Sequence, residues 1–93
     1  MGDRIYRAAS ADDLRIEALG ALTAIFDRRS MQTHLVVSPM PEILDVMGAE
    51  ACDARAIAGR LAERFDIEAN GDAPAIIAER LIELSAMGLV APA

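Results

Sequence analysis

The stretch LRIEALGALTAIFDRRSMQTHLVVSP, residues 14–39, decides the fold, because it alternates apolar and polar side chains and then ends at a proline. Leu14, Ile16 and Ala18 occupy one side of an extended chain, with a charged residue between each pair. Apolar residues at every second position are typical of a strand with one buried face. The start of the stretch therefore predicts a half-buried antiparallel strand.

A hairpin turn follows this first strand. Gly20-Ala21 lies between two leucines, and a glycine in the first central position suits a two-residue type II′ turn. The next strand is predicted to place Leu22, Ala24 and Phe26 on one face. A polar segment at residues 27–32 then predicts a second turn.

The third strand is predicted at residues 33–38. Leu35 and Val37 lie on the face opposite His34 and Val36. Residues 33–37 contain neither a charged residue nor a proline, the features with which proteins normally protect an exposed sheet edge. The pattern also leaves open an earlier short strand at residues 5–7.

The rest of the chain predicts helices. Pro39 and Pro41 end the strands and open a first helix, because proline is tolerated in a first turn. Its apolar positions follow the i, i+3, i+4, i+7 spacing of one helical face, and Gly48 is its predicted end. These positions are Met40, Ile43, Leu44 and Met47.

Two further helices are predicted in the same way. Asp53 is a suitable N-cap for the second helix, and Asp72 for the third, with Pro74 in its first turn and a loop at residues 68–71 between them. Gly88 ends the third helix, and Leu89-Val90 is expected to pack on the core. The apolar stripes are Ala54, Ile57, Ala58, Leu61, Ala62 and Phe65 in the second helix, and Ala73, Ile76, Ile77, Leu81, Leu84 and Met87 in the third.

Strands followed by helices indicate an α+β domain. A length of 93 residues allows one domain with one modest core, so residues 1–93 are predicted to form a single unit. Its strands lie at residues 14–38 and its helices at residues 40–87. The expected architecture is a small antiparallel three-stranded sheet followed by three helices, in a winged-helix-like arrangement.

Composition and charge exclude several classes of function. The net charge is −6, with 15 acidic residues against 9 arginines, so a nucleic-acid partner is not expected. No apolar stretch approaches the roughly 20 residues of a membrane helix, and no membrane partner is expected. The start of the chain lacks the apolar core of a signal peptide, and Cys52 is the single cysteine. A cytoplasmic location is therefore expected.

The residues at 12–91 together resemble the PqqD family, specifically the small PqqD-like proteins associated with HPr-kinase-related enzymes. Those proteins show a hairpin, an aspartate, a Ser-Gly turn, a Thr-His pair, two apolar residues and a proline, and they end near Gly-Leu-Val. This chain departs from the pattern at Met31, where the family has the turn glycine, and at Met40-Pro41, where small residues usually follow the proline. The matching residues are Asp27, Ser30, Thr33, His34, Leu35, Pro39 and Gly88-Leu89-Val90.

The resemblance implies a peptide chaperone that is not an enzyme and uses no cofactor. Such domains hold the leader of a ribosomally made precursor peptide as an added strand on their third strand, beside the third helix, and present it to a modifying enzyme. The implied partners are therefore a precursor peptide and an HPr-kinase-related or radical-SAM enzyme. The peptide-binding residues expected here are Thr33, His34, Leu35, Val36, Val37, Ile76, Arg80 and Glu83.

Several interpretations stay open beside this one. Arg80 can clamp a leader carboxylate or simply pair with Glu79 and Glu83 on the surface. His34 is either a turn residue that bonds the backbone or an outward side chain that lines the edge. A catalytic pair of His34 with Cys52 is conceivable but lacks a readable oxyanion hole, and His34 has no His or Cys partners for a metal site.

Two alternatives concern partners. One is a winged-helix regulator or a protein-assembly subunit, for which the second helix offers three arginines against an acidic background. The other is self-association, because an exposed edge predicts a homodimer at high concentration. Two copies would pair edge to edge or exchange their N-terminal strands.

Overall fold

The computed structural model describes residues 4–65 and 73–93, so the predicted loop at 68–71 and the predicted cap Asp72 lie outside the described residues. The α+β class with three helices is confirmed, and the arrangement is loosely compatible with a winged helix. The elements in chain order are β1 (Ile5–Ala8), a 3-10 turn (Ala11–Asp13), β2 (Leu14–Leu19), β3 (Leu22–Asp27), β4 (Gln32–Val36), α1 (Met40–Met47), β5 (Cys52–Asp53), α2 (Ala54–Phe65), α3 (Ala73–Ala86) and β6 (Val90–Pro92).

The predicted three-stranded sheet is present, with the order β2-β3-β4 and antiparallel pairing. Leu19 pairs with Leu22 across the first turn, and Gly20 has a φ of 69°. A positive φ at the first central position suits glycine, which has no Cβ to clash, and the predicted hairpin is confirmed. β4 ends at Val36, two residues before the predicted end, because the chain already turns and the Val37 carbonyl accepts the Met40 N–H at 2.9 Å.

The buried face of this sheet differs from the prediction. Ile25 is completely buried and pairs with Ile16 and His34, so these three side chains share the face that turns toward the core. The predicted apolar face of β3, which carries Leu22 and Phe26, is therefore the outer one. The prediction failed because β3 is apolar on both faces, and packing against the helices decides between them.

β2 is also less buried than predicted. Leu14 is the only buried residue of this strand, and Ile16 keeps 53% of its surface exposed. Ala18 and the rest of the strand are exposed as well. The hairpin formed by β2 and β3 thus extends past the core at its tip.

A second antiparallel sheet, absent from the prediction, joins the two ends of the chain in the order β5-β1-β6. Tyr6 pairs with Cys52 on one side and with Pro92 on the other, and its side chain is buried. The short early strand at residues 5–7 is thereby confirmed as part of β1. β1 is the central strand of this sheet, so both of its edges are used.

Local signals set both ends of α1, the start of α2 and the end of α3 as predicted. α1 spans Met40–Met47, and the Asp53 Oδ1 accepts the Ala56 N–H at 2.8 Å as the N-cap of α2. At the end of α3, Gly88 has a φ of 79°, and the Leu89 N–H reaches the Leu84 carbonyl at 3.0 Å. This Schellman motif turns the chain so that β6 can join β1.

The core combines side chains from the helices and both sheets. The three helices pack against one another, and Leu89 and Val90 are buried as predicted. Two residues of the predicted stripes are exposed: Phe65 lies on the last described turn of α2 and is 39% exposed, and Ile76 is 49% exposed. The side chains with almost no exposed surface are Ile25, Ile43, Met47, Ile57, Leu61, Leu81, Leu84 and Leu89.

Candidate functional site

β4 is an edge strand. It pairs with β3 alone, and across residues 4–65 and 73–93 no backbone hydrogen bond outside that ladder uses its N–H or C=O groups. The described N-terminal segment does not cover this edge, because β1 pairs with β5 and β6 in the other sheet. One side of β4 therefore offers backbone donors and acceptors to another chain.

The side chains of the strand alternate between the two faces of the sheet. Thr33 and Leu35 lie on the outer face, where Leu35 is 60% exposed, and Val37, just beyond the strand, is 51% exposed. Val36 lies on the inner face and belongs to the core. Of the five strand-side residues predicted to bind peptide, Val36 thus has a packing role.

His34 shares the inner face with Ile25 and is half-buried. Its Nε2 atom is buried and has no hydrogen-bond partner in the part of the chain that the structure describes. The interpretation of His34 as an outward side chain is therefore wrong. The alternation of the strand turns it toward the core, because the residue directly across on β3 is Ile25.

The three predicted residues on α3 share one helix face, at positions i, i+4 and i+7. Ile76 is half exposed, and the Arg80 Nε lies 2.9 Å from the Glu83 Oε2 without the alignment of a hydrogen bond. Arg80 Nη2 lies 4.0 Å from the Glu79 Oε2. The surface pairing of Arg80 is thus the arrangement present, and two carboxylates flank one guanidinium.

The structure keeps these residues in two separate groups. The strand-side residues follow one another along β4, which pairs with β3, whereas α3 packs mainly on α1, α2 and β6. Of the residues named from the sequence, Thr33, Leu35, Val37, Ile76 and Glu83 have exposed side chains.

The turn before β4 is anchored by Asp27, which is buried. Its Oδ1 accepts the backbone N–H of Arg29 at 2.9 Å and the Nε at 3.0 Å, and its Oδ2 accepts Nη2 at 2.9 Å. The side-chain hydrogen bond from Arg29 lowers the pKa of Asp27, against the opposing effect of burial. Arg29 Nη2 also donates to the Gly88 carbonyl at 2.8 Å, so this pair ties the start of β4 to the end of α3.

Met31 occupies the position where the resembling family has a turn glycine. Its φ is 61°, in the left-handed region, and its side chain is 73% exposed. The backbone conformation that favours glycine is therefore retained with a methionine in its place. The turn into β4 keeps its shape at the cost of local strain.

A concave apolar surface that the sequence did not reveal lies on the other side of the sheet, between β2 and α1. Its volume is about 790 Å³. Ile16 and Leu14 line it from the sheet and Leu44 from α1, and the small residues Ala8 and Ala9 leave room for it. The alanines at the end of β1 and in the segment before β2 are the sequence signal that could have indicated this surface.

Other candidate sites receive less support. Cys52 is buried in β5, and burial raises the pKa of its thiol, the opposite of what a nucleophile needs. His34 lies in the other sheet. Among the residues that the structure describes, no three His, Cys, Asp or Glu side chains group as a metal site.

The arginines of α2 are largely engaged within the chain. Arg60 donates to the Val46 carbonyl at 3.0 Å, and Arg64 pairs with Asp45 at 3.0 Å. Both contacts hold α2 against α1. Arg55 and the paired Arg64 keep exposed side chains, and this small basic surface on an acidic chain gives the regulator alternative no support.

No helix in the described ranges is both long and apolar enough to cross a membrane. No family model, curated protein or solved structure matches the chain. The likeness to the PqqD family therefore stays a prediction from the residues at 12–91.

Proposed function

We propose that this protein is a peptide chaperone that binds an extended precursor peptide along β4 and presents it to a modifying enzyme. The observation that carries the proposal is the open outer edge of β4. A peptide that joins an exposed edge gains a ladder of main-chain hydrogen bonds, while alternate side chains provide selectivity. The resemblance to PqqD-like domains supports the same use of this strand.

The two edge strands of the sheet, β2 and β4, differ in how well they can accept an added peptide strand. β2 forms the opposite edge and carries the exposed charges Arg15 and Glu17, which discourage an added strand. β4 carries no such charge, and its exposed Leu35 offers an apolar contact to a guest side chain. The chemistry of the strands therefore favours β4 as the binding edge.

On this proposal the guest runs between β4 and the face of α3 that carries Ile76. Ile76 contributes an apolar contact, and the paired Arg80 and Glu83 contribute polar ones. The peptide-binding residues are those named from the sequence, with Val36 and His34 supporting the strand from its inner face. No cofactor is required, the chain acts in the cytoplasm, and catalysis belongs to the partner enzyme.

A library of random 12-residue peptides displayed on phage tests the proposal without knowledge of the natural guest. Enriched peptides are titrated into the ¹⁵N-labelled protein, and amide exchange is measured. We expect protection of β4 amides between Gln32 and Val36. A library that yields no binder, or binders that protect β2 or the groove against α1 instead, would overturn the proposal.

A matched pair of variants makes the same test quantitative. Leu35→Lys and Leu19→Lys each place a cation at a half-exposed leucine, the first on β4 and the second on β2. We expect the first to weaken binding of the enriched peptides at least about tenfold, because both an apolar contact and an uncharged edge are lost. The second leaves binding unchanged, and equal effects would contradict the choice of β4.

A further inference from the structure

The outer face of the β2-β3-β4 sheet carries exposed leucines beside charged and polar side chains. Leu35 is 60%, Leu19 53% and Leu22 40% exposed on this face, which points away from the buried Ile25. Two cross-strand rows form the middle of the face: Arg15-Phe26-Thr33 and Glu17-Ala24-Leu35.

The β2 and β3 members of these two rows are complementary to each other in charge and in size. They lie one residue to either side of the row that contains Ile25. Arg15 begins one row and Glu17 the other, so opposite charges lie at equal distances from that line. Phe26, a large ring, stands in the first row, and the small Ala24 stands in the second.

Two copies can pack face to face about a two-fold axis that lies between their sheets, parallel to them and perpendicular to the strands at the level of Ile25. This axis places each row of one copy over the other row of its partner. Arg15 then faces the partner's Glu17, and Phe26 faces the partner's Ala24. Each contact occurs twice, as an isologous interface requires. Packed sheets lie about 10 Å apart, a spacing that a long arginine side chain and a phenyl ring can fill.

We propose that the protein forms a homodimer through the outer faces of this sheet. The occupant is a second copy, because the charges and sizes of the two rows complement themselves about one axis. The interface lies on the face of the sheet, whereas the unpaired backbone groups of β4 point sideways from its edge and stay accessible. Dimerisation therefore leaves the backbone groups of that edge available to a peptide, and it differs from edge-to-edge pairing.

Charge reversal separates this interface from general repulsion. Arg15→Glu places two negative charges together at each of the two symmetry-related contacts. Glu17→Arg places two positive charges together at the same contacts. Each single variant is expected to raise the dimer dissociation constant roughly tenfold in sedimentation equilibrium. The double variant restores the attraction, since the exchanged charges again face each other, and returns the constant to near the native value.

The negative net charge of the chain allows the specific ion pair to be distinguished from general repulsion. Glu17→Arg reduces the magnitude of the native charge of −6, so general repulsion alone would favour association in that variant. A weaker dimer despite this reduction identifies the specific pair. Arg55→Glu on the exposed surface of α2 is the control, and its dimer is expected to match the native one.

Circular dichroism of every variant verifies that the fold is intact. A native protein that sediments as a monomer from micromolar to millimolar concentration would overturn the proposal. So would a double variant that dimerises as weakly as the single ones, or an Arg55→Glu variant that is equally weakened. Peptide binding at β4 is measured separately, so loss of the dimer leaves the proposed function standing.

Discussion

Leu81 and Ile82 are neighbours on α3 but lie in opposite environments. Leu81 is completely buried, whereas Ile82 is 62% exposed. The helix rotates by about 100° per residue, so one position faces the core while the next faces away. The pair therefore provides a comparison within a single helical turn.

We predict that Leu81→Ala lowers the free energy of unfolding by about 2–5 kcal/mol, because it removes a buried side chain and leaves a cavity. Ile82→Ala is expected to change it by no more than about 0.5 kcal/mol. Urea unfolding followed by circular dichroism measures both values. Equal losses would show that the exposed face of α3 is covered in solution.

Asp27 makes the stability of the fold depend on pH. Its pKa is held below the ordinary value of 3.8, chiefly by the Arg29 side chain, so the folded state favours the carboxylate. That contribution is complete above the pKa of the unfolded chain and is lost as the pH falls through the lower folded-state pKa. Asp27→Asn lacks this dependence.

Urea unfolding of Asp27→Asn and the native protein at a series of pH values checks this expectation. The native protein should be the more stable at neutral pH, and the difference should shrink below about pH 4. Asp12→Asn, at an exposed position in the 3-10 turn, is the control and should follow the native curve. Parallel curves for Asp27→Asn and the native protein would contradict the role of the Asp27-Arg29 pair.

Met31→Gly is expected to stabilise the protein. The left-handed backbone conformation destabilises the folded state by about 1–2 kcal/mol for a non-glycine residue, and glycine removes this strain. Glycine also loses more backbone entropy on folding, which offsets about 0.5–1 kcal/mol of the gain. The net gain in unfolding free energy is about 0.5–1 kcal/mol, because the exposed Met31 side chain contributes little packing. Met31→Ala, which keeps the strain, should show no such gain in thermal unfolding.

His34→Leu is expected to leave stability unchanged or to raise it by up to about 1 kcal/mol, because a buried nitrogen without a partner among the described residues is replaced by an apolar group. Thr33→Leu on the outer face is the comparison, since it removes no buried polar atom. Chemical unfolding of both variants gives the values. A clear loss of stability in His34→Leu alone would mean that Nε2 has a partner, such as a buried water.

The parts of the fold that depend on local chemistry could be predicted from the sequence. Pro39 and Pro41 set the start of α1, Asp53 capped α2, and Gly20 and Gly88 marked turns that need a positive φ. Each of these signals acts within a few residues. Both ends of α1 and the start of α2 therefore agree with the prediction.

The parts that depend on distant contacts could not be predicted. β5 has two residues and β6 has three, too few for a period-two pattern, and both owe their conformation to pairing with β1. The buried face of β3 was misassigned because Phe26 and Ile25 are both apolar, and only the packing of the helices selects Ile25. The open edge of β4 was expected, but the groove beside β2 arises from the shape of the whole molecule.

The pairing of Tyr6 with Pro92 joins residues far apart in the chain, so we expect it to form late in folding. During synthesis, β2, β3 and β4 can associate as soon as they leave the ribosome, because hairpin contacts close short loops. The second edge of β1 gains its hydrogen-bond partners only after β6 has been synthesised. A nascent chain stalled before β6 would therefore expose that unpaired edge, the stage at which a chaperone or an unwanted strand could capture it.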